Sequence, residues 1–190
     1  MTAPRVDPAA YDRFSVVAFG TPAVVEAVEQ IRRALPPSGR PILPAHVTVK
    51  GTFVEPADLD EIAARIRACC AEARPFTLTT EALDVWLDEG GSGVLFHVEE
   101  EPELTRLHWR LVEQVKGLAT TIYSGEDVGV YLPHLTVVQQ IPAEDAKAAV
   151  PVIERLARVG FTFPVIETAL VGRRGGTAWE TIATFPLGTA

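Results

Sequence analysis

Two short stretches decide the reading of this chain: His46-Val47-Thr48-Val49 and His134-Leu135-Thr136-Val137. In each, His and Thr alternate with apolar residues, and successive side chains of a strand point to opposite faces. Each stretch is therefore expected to open a strand with one apolar face suited to a core and one face carrying chemistry. His46, Thr48, Lys50 and Thr52 share that face in the first strand; His134, Thr136, Val138 and Gln140 share it in the second. Proline precedes both motifs within two residues (Pro44, Pro133), and a proline-started helix follows each strand (Pro56, Pro142).

Working outward, Phe14–Phe19 reads as a strand ended by Gly20, and Thr21-Pro22 as an N-cap and first turn of a helix. That helix carries Val24, Val25, Val28, Ile31 and Leu35 near one face and stops at Pro36-Pro37. His46–Val54 follows as a strand, then a helix from Pro56 to about Glu72. Phe76–Leu87 and Val94–Glu99 form a hairpin about Glu89–Gly93. The next helix starts at Pro102, with Leu104, Leu107, Leu111, Val115 and Leu118 at helical spacing. Val130–Ile141 reads as a strand, Pro142 to about Arg158 as a helix, and Phe161–Val171 with Ala178–Phe185 as a closing hairpin around Gly172–Gly176.

This succession is a repeat. His46 and His134 are 88 residues apart, and Glu81 and Glu167, which open the hairpin strands, are 86 apart. Two copies at so long a period indicate two similar lobes rather than a solenoid. The units span roughly residues 13–100 and 93–187, after a loose leader at 1–12, and no linker separates them. One compact bilobal unit with a cleft between its halves is the expected architecture, and a twofold relation would turn both His/Thr faces into that cleft.

The 190 residues are 47% hydrophobic and 22% charged, enough for a core without disulfides or a metal staple. The net charge of −8 argues against tight binding to long nucleic acid, but not against a short anion met by a locally basic cleft. Cys69 and Cys70 are adjacent, a poor arrangement for a disulfide, and read as packed thiols in a reducing compartment. No signal peptide and no run of 18 apolar residues is visible, so a cytoplasmic protein without a membrane partner is expected. P-loop, HExxH and CxxC patterns are missing from the sequence, and Gly90–Gly93 lies in a hairpin rather than a strand-to-helix turn.

An imidazole with a pKa near 6.5 is the side chain best suited to give and take protons at neutral pH. Two across a cleft, each with a Thr hydroxyl beside it, fit attack on a phosphodiester. One His deprotonates the nucleophile, the other protonates the leaving oxygen, and Thr48 and Thr136 hold phosphate oxygens. Lys50 supplies positive charge to the phosphate or is a solvated sheet-edge lysine. Arg173, with Arg174, steers an anion or forms a solvated turn. Tyr131 stacks a base or packs. Trp86 and Trp179 read as core or sheet-edge residues, and His97 and His108, without Thr partners, as structural or surface residues.

The paired His-apolar-Thr-apolar motifs, in a chain of this length, resemble the two-histidine phosphoesterase superfamily, and most closely its 2′,5′ RNA ligase and cyclic phosphodiesterase branch. The resemblance runs from the strand at Phe14 to Trp179–Leu187. It implies an α+β fold with antiparallel sheets lining a central cleft and helices outside. It also implies hydrolysis of 2′,3′-cyclic phosphates or related small diesters, or reversible 2′–5′ joining of RNA ends. His46 and His134 become the acid/base pair, and Thr48 and Thr136 the phosphate-oxygen donors. No cofactor or metal is implied, and the partner is a small nucleotide or RNA end. A nucleotide-binding module without turnover, and a two-His metal site, are the alternatives.

Overall fold

The computed structural model describes residues 8–35, 43–87, 91–122, 129–156, 160–176 and 178–188. After a 3-10 turn at Pro8–Ala10, the chain forms β1 (Tyr11–Phe19), α1 (Pro22–Arg33), β2 (His46–Val54), α2 (Leu59–Glu72), β3 (Phe76–Trp86) and β4 (Ser92–Val98). It continues through α3 (Pro102–Val115), β5 (Thr120–Thr121), β6 (His134–Ile141), α4 (Ala143–Leu156), β7 (Thr162–Val165), β8 (Glu167–Arg174) and β9 (Ala178–Pro186).

Among the described residues, nine strands make one antiparallel sheet in the order β7-β3-β4-β6-β2-β1-β8-β9, with the short β5 on β2. The two motif strands are neighbours at its middle. On one side β6 leads to β4 and β3; on the other β2 leads to β1 and β8. The arrangement is a pseudo-twofold about the β2–β6 seam, with β1 answering β4 and β8 answering β3. β4 ends the first half of the chain, yet it pairs with β6 of the second, while the β8–β9 hairpin returns to β1. The expected α+β bilobal fold is present, but each lobe borrows strands from the other half of the sequence. The sheet is also strongly curled. β7 and β8 are separated by Ile166 alone, yet they sit toward opposite ends of the strand order. The expected single strand Phe161–Val171 is thus two, because the chain changes partner from β3 to β1 at Ile166.

The helix-facing side of the sheet holds the core. Val47, Val49, Phe53, Leu135 and Val137 are fully buried together with Phe14, Val16 and Ala18 of β1. α1 packs toward β6 and α4, and α2 and α3 pack on each other and on β2, β8 and β9. Apolar side chains at helical spacing explain the seats: Val24, Val28 and Ile31 in α1, and Leu104, Leu107, Leu111 and Val115 in α3, are all buried. Asp58 caps α2 by accepting from the Glu61 N–H (3.0 Å), whereas Thr21 holds the N-cap position of α1 without a side-chain cap bond. Gly93 lets β4 close on β6, since a Cβ there would stand 2.8 Å from the Val138 carbonyl oxygen.

Some boundaries shift. Tyr11 and Asp12, expected in the leader, belong to β1, and residues 1–7 lie outside the described residues. β6 starts at His134 rather than Val130, and the Pro36-Pro37 stop of α1 and the tip of the Glu89–Gly93 turn also lie outside the described residues. No helix among the described residues is long and apolar enough to cross a membrane.

Candidate active site

β2 and β6 touch through one antiparallel pair, Val47 with Leu135, both buried on the core side. Continued one residue each way, that register sets His46 opposite Thr136 and Thr48 opposite His134, all four on the other face and all half-buried. Opposite Cβ atoms lie about 4.5–5.5 Å apart and diagonal ones somewhat farther, at about 7–8 Å between backbones. His46 and His134 are the diagonal pair of this patch.

The rings are held in matching ways. His46 Nδ1–H donates to the Pro44 carbonyl (2.8 Å), and His134 Nδ1–H donates to the Leu132 carbonyl (2.9 Å). A carbonyl oxygen only accepts, so Nδ1 carries a proton in both rings and Nε2 is the nitrogen left to take or give one. Burial pushes the His46 pKa down to about 4, against the opposing pull of the Pro44 carbonyl; the charges of Arg32 and His134 push the same way as burial. His46 is therefore neutral across the physiological range.

Arg32 is the residue that sequence reasoning missed. From α1 its Nε donates to the Val137 carbonyl (2.6 Å), one terminal nitrogen to the Thr136 carbonyl (3.1 Å), and the other to the Leu43 carbonyl (3.3 Å). That second nitrogen also pairs with Glu29. One guanidinium thus grips the backbone of the second motif and the segment leading into the first. The signal was present in the sequence: Arg32 follows Val28 by four residues, on the flank of the apolar stripe of α1.

Of the other expected residues, Lys50 departs from simple alternation. The β1–β2 register passes from Val17 with Thr48 to Val16 with Lys50, a bulge that puts an extra residue into β2. Lys50 is thereby set against the core residue Val16 and is only 1% exposed. Its ammonium donates to the Gly51 carbonyl (3.2 Å), 3.4 Å from the Thr121 hydroxyl oxygen, so it does not share the open His46 face. Tyr131 lays its ring parallel to the buried His108 (centroids 3.9 Å apart) and donates its hydroxyl to the Thr48 carbonyl (2.6 Å). One face of the ring expected to stack a base is covered. His108 Nδ1–H in turn donates to the Val49 carbonyl (2.7 Å), so this pair props the first motif from behind. Arg173 binds both carboxylate oxygens of Asp12 and holds that carboxyl below its usual pKa. It pairs with Arg13, four residues and roughly 13 Å along β1 from Val17, the partner of Thr48.

Three further residues stand beside the His pair. His97 is the cross-strand partner of His134, and its Nε2 lies 3.0 Å from Asp84 Oδ2. Trp86, 59% exposed, lies with its ring 5.6 Å from that of His134. Phe19, the cross-strand partner of His46, meets the His46 ring edge-on at 6.3 Å. Among the described residues, no group of three or more His, Cys, Asp or Glu is arranged to hold a metal ion.

The duplicated His/Thr strands at a central antiparallel seam define a two-histidine phosphoesterase architecture. The family model of the 2'-5' RNA ligase superfamily matches residues 20–177, and the chain belongs to that superfamily. Among solved structures it resembles Escherichia coli LigT complexed with 3'-AMP (19% identity, TM-score 0.64, covering 94% of this chain and 99% of that one). It also resembles TT0787 of Thermus thermophilus (20%, 0.66, 92% and 97%) and Usb1 of Kluyveromyces marxianus (16%, 0.55, 95% and 100%). No curated protein sequence matches it.

Proposed function

We propose that this protein is a phosphodiesterase that needs no metal and acts on 2′,3′-cyclic phosphates or related small nucleotide and RNA-end diesters. The observation that supports the reading is the β2–β6 register, which sets His46, Thr48, His134 and Thr136 on one face of the sheet, with both imidazoles anchored through Nδ1. His46, neutral at pH 7, accepts the proton of the attacking hydroxyl or water through Nε2. His134, in its protonated form, gives a proton to the leaving oxygen. Thr48 and Thr136 donate to the non-bridging phosphate oxygens. Each proton transfer of this kind is worth about 10²–10⁴-fold.

With a ribose hydroxyl in place of water, the same apparatus joins RNA ends, in keeping with the superfamily's name. LigT has been solved with 3'-AMP, with ATP and with NADP+, which supports a nucleotide-sized ligand for this cleft. Lys50, Tyr131 and Arg173 are assigned to holding strands rather than to substrate. The repeat units 13–100 and 93–187 share β4, and we take residues 1–190 as a single bilobal domain. Cys69 and Cys70, buried and outside any disulfide, fit a reducing compartment, the cytoplasm.

The test is a panel of 2′,3′-cyclic, 3′,5′-cyclic and 2′–5′-linked substrates, with the products identified by phosphorus NMR. Turnover of a 2′,3′-cyclic or 2′–5′ diester in the presence of chelator supports the proposal. Saturable binding without product across the panel supports a binding module instead.

A further inference from the structure

Beside His46 the sheet carries a cavity of about 500 Å³, within the size range of small-molecule sites. Its walls are Phe19, Leu43, Pro44 and Trp179, with Val25 of α1 behind them. It adjoins the catalytic seam through two contacts already described: Phe19 meets the His46 ring, and Pro44 supplies the carbonyl that orients that ring. Phe19 and Trp179 also pack onto a small apolar cluster, Val17, Leu43, Ala169 and Val171, separate from the main core. Both aromatic side chains stay half-buried, with ring surface left for a ligand.

The charges say what the cavity does not hold. Among the described residues, the only ionisable side chain along it is Glu180, whose carboxylate is taken by the Tyr11 hydroxyl (2.7 Å) and by Arg174 (2.8 Å). None of its described lining residues is a cation, so a second phosphate finds no counter-charge among them. Polar readout comes from the edge of the sheet instead. β9 is the last strand in the order, so alternate backbone groups along Trp179–Thr181 point away from β8 with no strand partner among the described residues. The Thr181 hydroxyl adds a donor and an acceptor.

We propose that this cavity is a nucleobase subsite: the uncharged ring of the nucleoside bound to the reacting phosphate stacks against Trp179 and Phe19, and its edge is read by the backbone of β9. This rests on the phosphodiesterase reading for the position of the phosphate. On the other side of the seam, the place of Phe19 is taken by His97, which is tied to Asp84. The two ends of the cleft therefore differ: Phe19 and Trp179 line the cavity at the His46 end, whereas the His97–Asp84 pair and the exposed Trp86 stand at the His134 end.

The test measures equilibrium binding of 3′-nucleoside monophosphates, ribose 3-phosphate and inorganic phosphate to the wild type and to Trp179→Ala and Trp179→Phe. Base–aromatic stacking predicts a roughly 5- to 150-fold weaker affinity of Trp179→Ala for the nucleotides. Affinity for the two base-free phosphates should be unchanged, and Trp179→Phe should recover most of the loss. Where turnover is found, kcat/KM should follow the same pattern on a cyclic nucleotide and on its base-free ribose analogue. Equal losses on base-bearing and base-free ligands, or no loss on either, overturn the subsite. A wild type that turns over nothing, yet binds nucleotides through Trp179, refutes the catalytic proposal and leaves the subsite standing.

Discussion

Arg32→Ala probes the device that joins the two motifs. The seam between β2 and β6 rests on one residue pair, and Arg32 supplies three charge-assisted bonds across it, to Val137, Thr136 and Leu43. Bonds to charged groups contribute about 1.5–3 kcal/mol each when fully buried. The Arg32 side chain is 15% exposed, so water takes over part of what truncation removes. A net loss of about 2–4 kcal/mol follows. For a chain of this size, each kcal/mol lowers Tm by about 2–4 °C, which gives a fall of about 5–15 °C. The catalytic cost is separate, because a shift of about 1 Å between reacting groups costs on the order of 10²-fold in rate.

Removing the guanidinium also removes one of the influences that lower the His46 pKa, so His46 should titrate at higher pH in Arg32→Ala. Arg32→Lys keeps the charge but not the fork. It should leave the His46 titration near its wild-type position while still losing rate. Thermal denaturation, kcat on a cyclic nucleotide, and NMR titration of the His46 ring read the three effects. Wild-type Tm, wild-type kcat and an unmoved titration in Arg32→Ala would show that Arg32 does not hold the two motifs together.

Other outcomes follow from the same geometry. The His46 pKa is about 4 in the folded chain and near the model-peptide value of about 6.5 when unfolded, so as the pH falls the unfolded state takes up the proton first. Stability contributed by His46 is complete above about pH 6.5 and is lost as the pH drops toward 4, by at most about 3 kcal/mol; His46→Gln should flatten denaturant-derived stability over that window. The acid limb of kcat/KM should fall near pH 4 for the same reason. Tyr131→Phe removes the bond to the Thr48 carbonyl but keeps the stack on His108, and should cost about 0.5–1.5 kcal/mol in urea denaturation with a modest drop in kcat. Thr48→Val and Thr136→Val should each lower kcat by about 10²-fold or more with little change in Tm, as loss of an oxyanion donor does; unchanged kcat would remove them from the site.

The parts of the fold legible in the sequence were those set by strict local periodicity. Alternation placed Val47, Val49, Leu135 and Val137 in the core and His46, Thr48, His134 and Thr136 on the opposite face. Apolar stripes marked the helices, and proline marked the starts of α1 and α3, whereas α2 begins at Leu59 behind Asp58 rather than at Pro56. Two kinds of feature were not legible. A bulge adds a residue without any signature, and the one at Val49–Lys50 turned Lys50 from the His46 face toward Val16. Contacts between distant segments were also hidden: Arg32 meets Thr136 across more than a hundred residues, and β4 leaves its own half to pair with β6. Trp179 and Phe19 were read as core or strand residues because aromatic side chains near sheet edges serve either packing or binding; only the curl of the sheet set them around a cavity next to His46.

In the proposed mechanism one phosphate is worked on from two sides by His46 and His134. Steady-state turnover of a 2′,3′-cyclic nucleotide by His46→Ala and His134→Ala, with chelator present, tests it most directly. Each substitution should cost about 10²–10⁴-fold in kcat, with a much smaller change in nucleotide affinity. Full activity in either variant would contradict it.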